Sequence, residues 1–362
     1  MFPGLIAGKY TLEDIQIDLR KLASAAGVGF IEAEIKGVDI YRKSLKLNNR
    51  TSLDFSHLSF DVGGDTVLNS INLQLVKSNQ ACPIKPFKKS FEWILKFEKE
   101  HYRSSDKDFT IIGSGIAAVE MSLALRRRWP EQNINIQIYD SKLKSNFRDI
   151  LLKSKINIIK KPFIAKEYTA LICTGSIAPK WLRESGFKLN NNGRILTSNT
   201  FEIVDNKNFF AAGDCSVISQ SARPASGVWA VKAAKPLSRN LEKALNGLSL
   251  SSWKPQKNAL QLIGINYDNQ LPLAFATWGN FSYGPAKWLW KLKENIDQRF
   301  IKKFDITKKM YSHDNNKINS CRGCGAKVEA STLRAALKAV GLNNLAIEPE
   351  DAVLLSSSPM NG

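Results

Sequence analysis

The chain has 362 residues, which at roughly 150 residues per domain is enough for two or three domains with real hydrophobic cores. Its composition is 43% hydrophobic and 23% charged with 22 Gly and 13 Pro, which excludes wholesale disorder, a collagen-like repeat and a coiled coil. The 52 Lys and Arg residues exceed the 33 Asp and Glu residues, and the net charge of +19 attracts anions such as phosphorylated cofactors, nucleic acid or acidic membrane surfaces without distinguishing among them.

Cysteine usage and the apolar runs bear on the cellular compartment. Five cysteines in a chain of this length do not make a disulfide framework, and an odd number fits a reducing compartment. The first residues lack a basic stretch followed by an apolar one, and apolar runs such as 271–278 are far shorter than the roughly 20 residues that span a bilayer. We therefore expect a cytoplasmic protein without a signal peptide or a membrane span.

In chain order, strand-like runs alternate with helical patterns from about residue 50 to residue 240. Such alternation predicts a parallel sheet with helices on its faces. The clearest of these strand-like runs are 109–115, 134–140, 156–160 and 170–175. From Pro255 the sequence changes to extended, aromatic-rich stretches. After the linker at 311–320, the last segment predicts a glycine-containing loop that enters a helix ending at Gly341.

The most informative motif is an apolar strand that turns through G-x-G-x-x-A into a helix that stops before Pro130. Gly113 permits the tight turn, Gly115 lets the backbone approach a pyrophosphate, and Ala118 lets the helix pack closely on the strand. The next strand ends at Asp140, where a carboxylate would accept hydrogen bonds from the adenosine ribose and favour NADH over NADPH. The pattern indicates a dinucleotide site. The alternative is that the glycines only allow tight packing of strand and helix.

This motif, followed downstream by the A-x-G-D sequence at 211–214, resembles the flavin-dependent pyridine-nucleotide oxidoreductases, and among them the type II NADH dehydrogenases. In that family an NAD-binding domain is inserted into an FAD-binding domain of the same fold. The resemblance covers about residues 1 to 309 and implies NADH and FAD as cofactors. It implies NADH-binding roles for Gly113, Gly115, Ala118, Glu120, Asp140, Thr174 and Gly175. It implies FAD-binding roles for Gly63, Gly64, Gly213, Asp214 and Gly227.

Two of these residues have more specific roles in the family pattern. Asp214 matches an aspartate that hydrogen-bonds the ribityl or pyrophosphate part of FAD. The alternative is a buried strand that ends in a Gly-Asp turn. Gly227 lies in the segment 223–245, which resembles the helix whose N-terminus points at the flavin ring. The positive end of that helix dipole would stabilise negative charge on the flavin.

Two parts of the family pattern are missing. The family begins with its own strand and G-x-G-x-x-G loop for the FAD pyrophosphate, and no such element precedes Pro3 and Gly4. We therefore expect either an N-terminally shortened chain or weak FAD binding. No C-x4-C pair is present near the start, so disulfide reductase chemistry is not supported.

The stretch 286–309 predicts a basic amphipathic helix. Apolar residues recur there every four positions, at Trp288, Leu292, Ile296, Phe300 and Phe304. We expect this stripe to pack on its own domain. The alternative is peripheral contact with a membrane, since type II NADH dehydrogenases dock through a carboxy-terminal region. Nucleic acid is not an expected partner, because the sequence has no helix-turn-helix, zinc-finger or RNP-like pattern.

Near the carboxy end, Cys321 and Cys324 form a C-x-x-C pair. From the residues alone, the pair could be half of a zinc site, a redox pair, or one nucleophilic thiol with a neighbour. Zinc is the least favoured, because there is no second C-x-x-C and the three histidines are scattered along the sequence. The adjacent glycines and Lys327 favour a reactive thiolate beside a phosphate.

The same string resembles the catalytic loop of selenophosphate synthetase, also called selenide, water dikinase. The resemblance implies that Cys324 is the reactive thiol and that Lys327 assists phosphoryl transfer from ATP. It also implies that Asp351 holds Mg²⁺, with Glu350 in place of a second aspartate. The alternative is an ordinary helix after a turn.

Together these patterns predict an α/β protein in which a Rossmann-like NAD-binding domain is inserted in a partial FAD-binding domain of the same type. Residues 1–105 and 179–250 are predicted to form the FAD-binding domain, and residues 106–178 the NADH-binding domain. Residues 251–310 are predicted to form a small α+β domain that includes the basic helix, and residues 311–320 a linker. Residues 321–362 are predicted to be the start of a synthetase domain and to end within it. We expect an FAD-dependent NADH oxidoreductase fused to selenide, water dikinase, and a homo-oligomer. The alternative is a catalytically incomplete nucleotide-binding or scaffold module. The electron acceptor, whether a quinone, a selenium compound or dioxygen, stays open.

Overall fold

The computed structural model describes residues 1–48, 51–101, 108–130, 134–137, 143, 145–159, 169–265, 272–279 and 281–305. The chain divides into two compact units, one formed by 1–16 and 32–302 and the other by 17–31 and 303–362. The helices before residue 32 are α1 (Phe2–Ile6) and α2 (Leu12–Ile15) in the first unit and α3 (Leu19–Ala25) in the second. The Asp18 side chain caps α3 by accepting a hydrogen bond from the Lys21 amide at 3.0 Å.

The remaining described elements belong to the first unit. They are β1 (Ile35–Asp39), β2 (Ser44–Leu47), β3 (Leu53–Asp54), β4 (Leu58–Phe60), β5 (Asp65–Thr66), α4 (Ser70–Lys77), β6 (Ala81–Pro83), α5 (Phe87–His101), β7 (Phe109–Ile112), α6 (Ile116–Arg128), β8 (Ile134–Gln137), α7 (Ser145–Lys153), β9 (Asn157–Ile159), β10 (Thr169–Ile172), β11 (Ser176–Ile177), β12 (Ile195–Thr197), β13 (Glu202–Ile203), β14 (Asn206–Ala211), β15 (Ser216–Ile218), α8 (Gly227–Leu245), β16 (Leu260–Ile265), β17 (Leu273–Trp278), β18 (Phe281–Ala286) and α9 (Lys287–Lys302).

The expected parallel sheet is confirmed. Five strands pair in the order β6-β10-β7-β8-β9, and every pairing is parallel. The central strand β7 is an unbroken apolar run whose four residues are all buried, as expected for a strand covered on both faces. Helix α6 packs on the sheet through Val119 and Leu125 against Phe109 and Leu171. The sheet also takes β6 from residues 81–83, before the predicted boundary at 106; the domain boundaries stay predictions.

The second sheet differs from the parallel arrangement expected for the FAD-binding part. Its order is β15-β12-β13-β14-β4; the pairs β12–β15 and β14–β4 are parallel, whereas β12–β13 and β13–β14 are antiparallel. The reason is the length of the connections. Only residues 198–201 and 204–205 join β12, β13 and β14, and parallel neighbours need a crossover of a dozen or more residues.

The predicted small α+β domain corresponds to an antiparallel sheet, β16-β17-β18, with α9 packed against it. The predicted apolar stripe of α9 is unevenly buried: Leu292 and Phe300 are partly buried, two other members are exposed, and Phe304 lies beyond the end of the helix. Leu289, which is not in the stripe, is 2% exposed and packs on the sheet, whereas Trp288 is 55% and Ile296 is 49% exposed. The sheet meets α9 on the side of Leu289 and Trp290, and the sequence period alone does not identify that side.

No helix in the described part of the chain is long and apolar enough to cross a membrane.

Candidate nucleotide-binding site

The turn between β7 and α6 carries the G-x-G-x-x-A motif. Gly113 has φ +147°, a backbone conformation that residues with side chains rarely adopt. A Cβ at Gly113 would overlap the carbonyl oxygen of Cys173 and would lie 3.4 Å from the Ala118 Cβ. The turn is therefore tight enough to require glycine at 113, and helix and neighbouring strand pack closely there.

The N-terminus of α6 opens onto free space. Gly115 is the N-cap, so no side chain of the cap residue satisfies the first amides of this 13-residue helix. A Cβ built on Gly115 would meet nothing within 4 Å among the described residues. Unsatisfied amides, the positive end of a helix dipole and open space together fit a phosphate group.

The segment 173–176 extends from this turn. Its first residue lies beside the turn because β10 and β7 are parallel neighbours, and the Cys173 amide donates to the Ile112 carbonyl at 2.7 Å. The Thr174 hydroxyl donates to the carbonyl of Val67. Gly175 has φ +108° and faces open space. The structure therefore brings Thr174 and Gly175 to the carboxyl end of the parallel sheet, beside the Gly113 turn.

A second cluster forms where β4 and β14 end. The two strands are parallel, so the residues after them, 61–64 and 212–214, lie side by side. A Cβ at Gly64 would lie 2.6 Å from Ser176 Oγ and 3.5 Å from Asp214 Cβ. Gly213 has φ +71°, and a Cβ there would overlap the carboxylate of Asp61. The structure therefore brings together three of the predicted FAD residues, Gly64, Gly213 and Asp214, with Gly63 next to them in the chain.

The sequence prediction missed Lys85, which completes this cluster. Its Nζ donates to Asp214 Oδ2 at 2.6 Å and to Ser176 Oγ at 3.1 Å. Both charged side chains are about four-fifths buried, with exposures of 22% for Lys85 and 20% for Asp214. Burial, and after it repulsion by Asp214, raises the pKa of Asp61 above its usual value. No sequence signal connects Lys85 to Asp214, because the two residues are 129 positions apart.

The last predicted FAD residue, Gly227, is the first residue of α8. Helix α8 contacts the turn Gly213–Cys215, so its N-terminal half lies next to the cluster. Its N-cap, Ser226, makes no side-chain capping hydrogen bond in the described structure. The first amides of this 19-residue helix are therefore not capped by that side chain.

The buried cysteines near these residues are free thiols. Burial raises the pKa of Cys173 far above its ordinary value and that of Cys215 to about 11. Both thiols therefore stay protonated at neutral pH, and neither is a thiolate nucleophile there.

Glu120 lies in a different cleft from the glycine turn. Its side chain faces a space of about 530 Å³, partly open to solvent, between α1, α6, β16 and α9. Burial raises the pKa of Glu120 to about 6, while the nearby Lys293 opposes that shift and Asp297 adds to it. Neither Gly113 nor Gly115 lines this cleft, so the structure does not bring Glu120 together with the other predicted NADH residues. Its role in NADH binding stays a prediction.

Several predicted residues lie outside the described part of the chain. They are Asp140 of the NADH site and Cys324, Lys327 and Asp351 of the synthetase segment. Among the described residues, no group of three or more His, Cys, Asp or Glu side chains could hold a metal ion.

Comparisons with known proteins give the fold. No family model matches the chain. Ferroptosis suppressor protein 1 of Xenopus tropicalis is 22% identical over 263 residues, covering 62% of this chain and 66% of that protein. The protein of the same name from Xenopus laevis is 22% identical over 262 residues, with the same coverage. The match thus spans slightly less than two thirds of the length of these curated relatives.

Solved structures show the same fold. The sulfide:quinone oxidoreductase of the hyperthermophilic bacterium Aquifex aeolicus has a TM-score of 0.66 at 15% identity, covering 84% of this chain and 81% of that chain. NADH:rubredoxin oxidoreductase from Clostridium acetobutylicum has a TM-score of 0.55 at 15% identity, covering 76% and 77%. The chain therefore has the mixed α/β fold of the FAD- and NAD-dependent pyridine-nucleotide oxidoreductases.

Proposed function

We propose that the chain is an FAD-dependent NADH oxidoreductase. The observation that carries the proposal is the segment 173–176, which joins the two clusters. Its first residue packs on the Gly113 turn, and three residues later Ser176 accepts a hydrogen bond from Lys85, which also holds Asp214. A dinucleotide at the turn and a flavin at Asp214 would therefore lie at the two ends of one four-residue segment.

The residues at each end fit the group proposed for them. Gly113, Gly115 and the amides of α6 would hold the NADH pyrophosphate, and Thr174 and Gly175 would line the path from it toward the flavin. For FAD, Gly63 and Gly64 allow close approach of the chain, since a Cβ at Gly64 would collide with its neighbours and Gly63 has φ +69°. Asp214 would accept a hydrogen bond from the ribityl chain. Lys85 balances the charge of that carboxylate and fixes it in place.

When bound, FAD supplies an acceptor for the hydride of NADH, and the chain needs no acid or base for that step. Its own residues bind and orient the two groups. The N-terminus of α8, at Gly227, would direct partial positive charge toward the flavin. Asp140 would set the preference for NADH over NADPH by its charge. The names of the relatives favour an oxidoreductase, with a quinone or a small redox protein among the acceptor classes that they suggest.

The fusion with selenide, water dikinase is a proposal that rests on the Cys321–Lys327 and Asp351 motifs alone. In it Cys324 and Lys327 would act on ATP and selenide with Mg²⁺ at Asp351, and the flavoprotein would supply reducing power to make or keep selenide. The test is ATP hydrolysis that depends on selenide and is lost in Cys324→Ala. Hydrolysis that persists in this variant would contradict the assignment of the thiol.

The test of the oxidoreductase is spectroscopic. The full chain is purified, its visible spectrum is recorded with and without added FAD, and NADH is then added anaerobically. We expect a bound flavin band that NADH bleaches. Asp214→Asn should weaken flavin binding, whereas Asp205→Asn, in the turn between β13 and β14, serves as a matched control. Absence of flavin uptake at about micromolar FAD would contradict catalysis by this chain and favour the binding or scaffold module.

A further inference from the structure

A second cleft of the first unit is not used by the proposed reaction. It lies between α8, β15 and the loop before α8, and it is partly open to solvent. We call it the arginine cleft. Its polar lining is Arg194, Ser216, Ser221, Arg223 and Ser226, and its apolar walls include Trp229 and Trp253. Of the predicted FAD residues only Gly213 lines it, and Gly63, Gly64, Asp214 and Gly227 do not.

Arg194 is a buried cation with an unsatisfied donor. The residue is 8% exposed, and its Nη1 donates to the Arg223 carbonyl at 2.8 Å. Its Nε is buried and has no hydrogen-bond partner among the residues that the structure describes. Asp214 attracts this guanidinium, but that carboxylate is already engaged by Lys85. A buried guanidinium donor without a partner is costly, so it points to an acceptor that arrives with a ligand.

A second unsatisfied donor belongs to the lining of the same cleft. The Ser221 hydroxyl is also buried and without a partner in the described structure. Arg223 adds a second positive charge; its guanidinium donates to four backbone carbonyls, and its guanidinium carbon lies 5.9 Å from the centre of the Trp229 ring. Two positive charges and two unsatisfied donors, Arg194 Nε and the Ser221 hydroxyl, together match an anionic group.

The apolar walls of the arginine cleft indicate what kind of molecule bears the anionic group. Trp253 stacks on Phe201 with ring centres 5.2 Å apart, and both residues line the cleft together with Ile218 and Ala233. These surfaces favour an aromatic or aliphatic body and offer little to a free inorganic ion. We propose that the arginine cleft binds a small organic anion, a phosphate or carboxylate group on an apolar body, at a site separate from FAD and NADH.

The experiment is calorimetric titration of the full chain with phenyl phosphate, benzoate, inorganic phosphate and benzyl alcohol, with and without saturating FAD. We expect phenyl phosphate or benzoate to bind saturably and at least about tenfold more tightly than inorganic phosphate or benzyl alcohol. The stronger of the two identifies the anionic group. Arg194→Met should weaken binding about tenfold, and Arg239→Met, an equal charge change on the exposed face of α8, should leave it unchanged.

Because Arg194 is buried, Arg194→Met can also destabilise the fold, so a second variant, Ser221→Ala, is measured beside it. Ser221→Ala removes one hydroxyl and should weaken binding of the probe severalfold in a folded protein. Equal binding of benzyl alcohol and phenyl phosphate would overturn the proposal, as would absence of saturable binding up to about 10 mM. Competition between FAD and the probe would assign the cleft to the flavin and also overturn it. Probe binding by a chain that takes up no FAD would support the cleft while contradicting the oxidoreductase.

Discussion

At the scale of single residues, substitutions of the two glycines of the β7–α6 turn should have different effects: one mainly on stability, the other mainly on NADH binding. Gly113→Ala places a Cβ on the Cys173 carbonyl at an unfavourable φ, so we expect the free energy of unfolding to fall by about 1 to 3 kcal/mol. Gly115→Ala meets open space at φ −81°, so we expect only a small loss of stability, about 0.5 kcal/mol, because alanine is a poorer N-cap than glycine. We expect at least about tenfold weaker NADH binding, since the methyl group occupies the phosphate approach.

Denaturant titration and NADH fluorescence measure the two effects separately. A Gly115→Ala protein that binds NADH as tightly as the wild type would show that the dinucleotide does not use this turn. A Gly113→Ala protein of unchanged stability would show that the backbone relaxes at Cys173.

Glu120 gives a pH dependence of definite sign. Its folded-state pKa of about 6 lies above the ordinary 4.5, so the native state binds more protons than the unfolded state between those values. The free energy of unfolding therefore falls as pH rises through this window. The destabilisation by ionised Glu120 is fully present above about pH 6. We expect Glu120→Gln to stabilise the protein by about 2 kcal/mol more at pH 8 than at pH 4.5. Urea unfolding at the two pH values is the measurement, and a gain that does not depend on pH would contradict the raised pKa.

Some residues of the candidate sites were recognisable from the sequence, and others were not. Gly113, Gly115 and Ala118 were recognisable because the motif is local and each small residue has one steric task. Lys85 was not, because its contact with Asp214 exists only after β4, β6 and β14 are assembled. Arg194 was equally invisible, since nothing in its neighbourhood in the sequence marks an arginine as buried.

At the scale of elements, α9 provides a test of which face packs. Leu289→Ala removes a side chain that is 2% exposed and should cost about 2 to 5 kcal/mol of stability. Ile296→Ala, in the stripe predicted from the sequence, removes a side chain that is 49% exposed and should change stability by about 0.5 kcal/mol or less. Thermal unfolding of the two variants compares them, and a reversed order would show that Ile296 rather than Leu289 faces the sheet.

Elements with a long local pattern were predictable, and short ones were not. The strand β7 and the helix α6 follow from a buried apolar run and its glycine turn. The helix α9 was expected at 286–309 and ends at Lys302, within the described residues. Its packing face depends on where β16 and β17 lie. The strand β6 has only three residues, too few to show a periodicity, and it belongs to the parallel sheet because it pairs with the edge of β10.

At the scale of the whole molecule, the net charge of +19 should strengthen the binding of anionic dinucleotides at low salt. We expect the affinity for NADH to fall about tenfold between 0.05 and 0.5 M NaCl, because salt screens the attraction. Fluorescence titration measures the change, and uncharged adenosine serves as the control ligand. An NADH affinity independent of salt would show that the excess basic charge lies away from the site.

The segment 173–176 has one more consequence, because in the proposed function its ends would touch different ligands. If binding at the Gly113 turn moves this segment, the Ser176 end moves too, and the affinity for the second ligand changes by some factor. Thermodynamic linkage requires that factor to be the same in both directions: whatever saturating NADH does to the affinity for FAD, saturating FAD must do to the affinity for NADH. The four residues would then act as a mechanical coupling whose strength is a single free energy, obtainable from either titration.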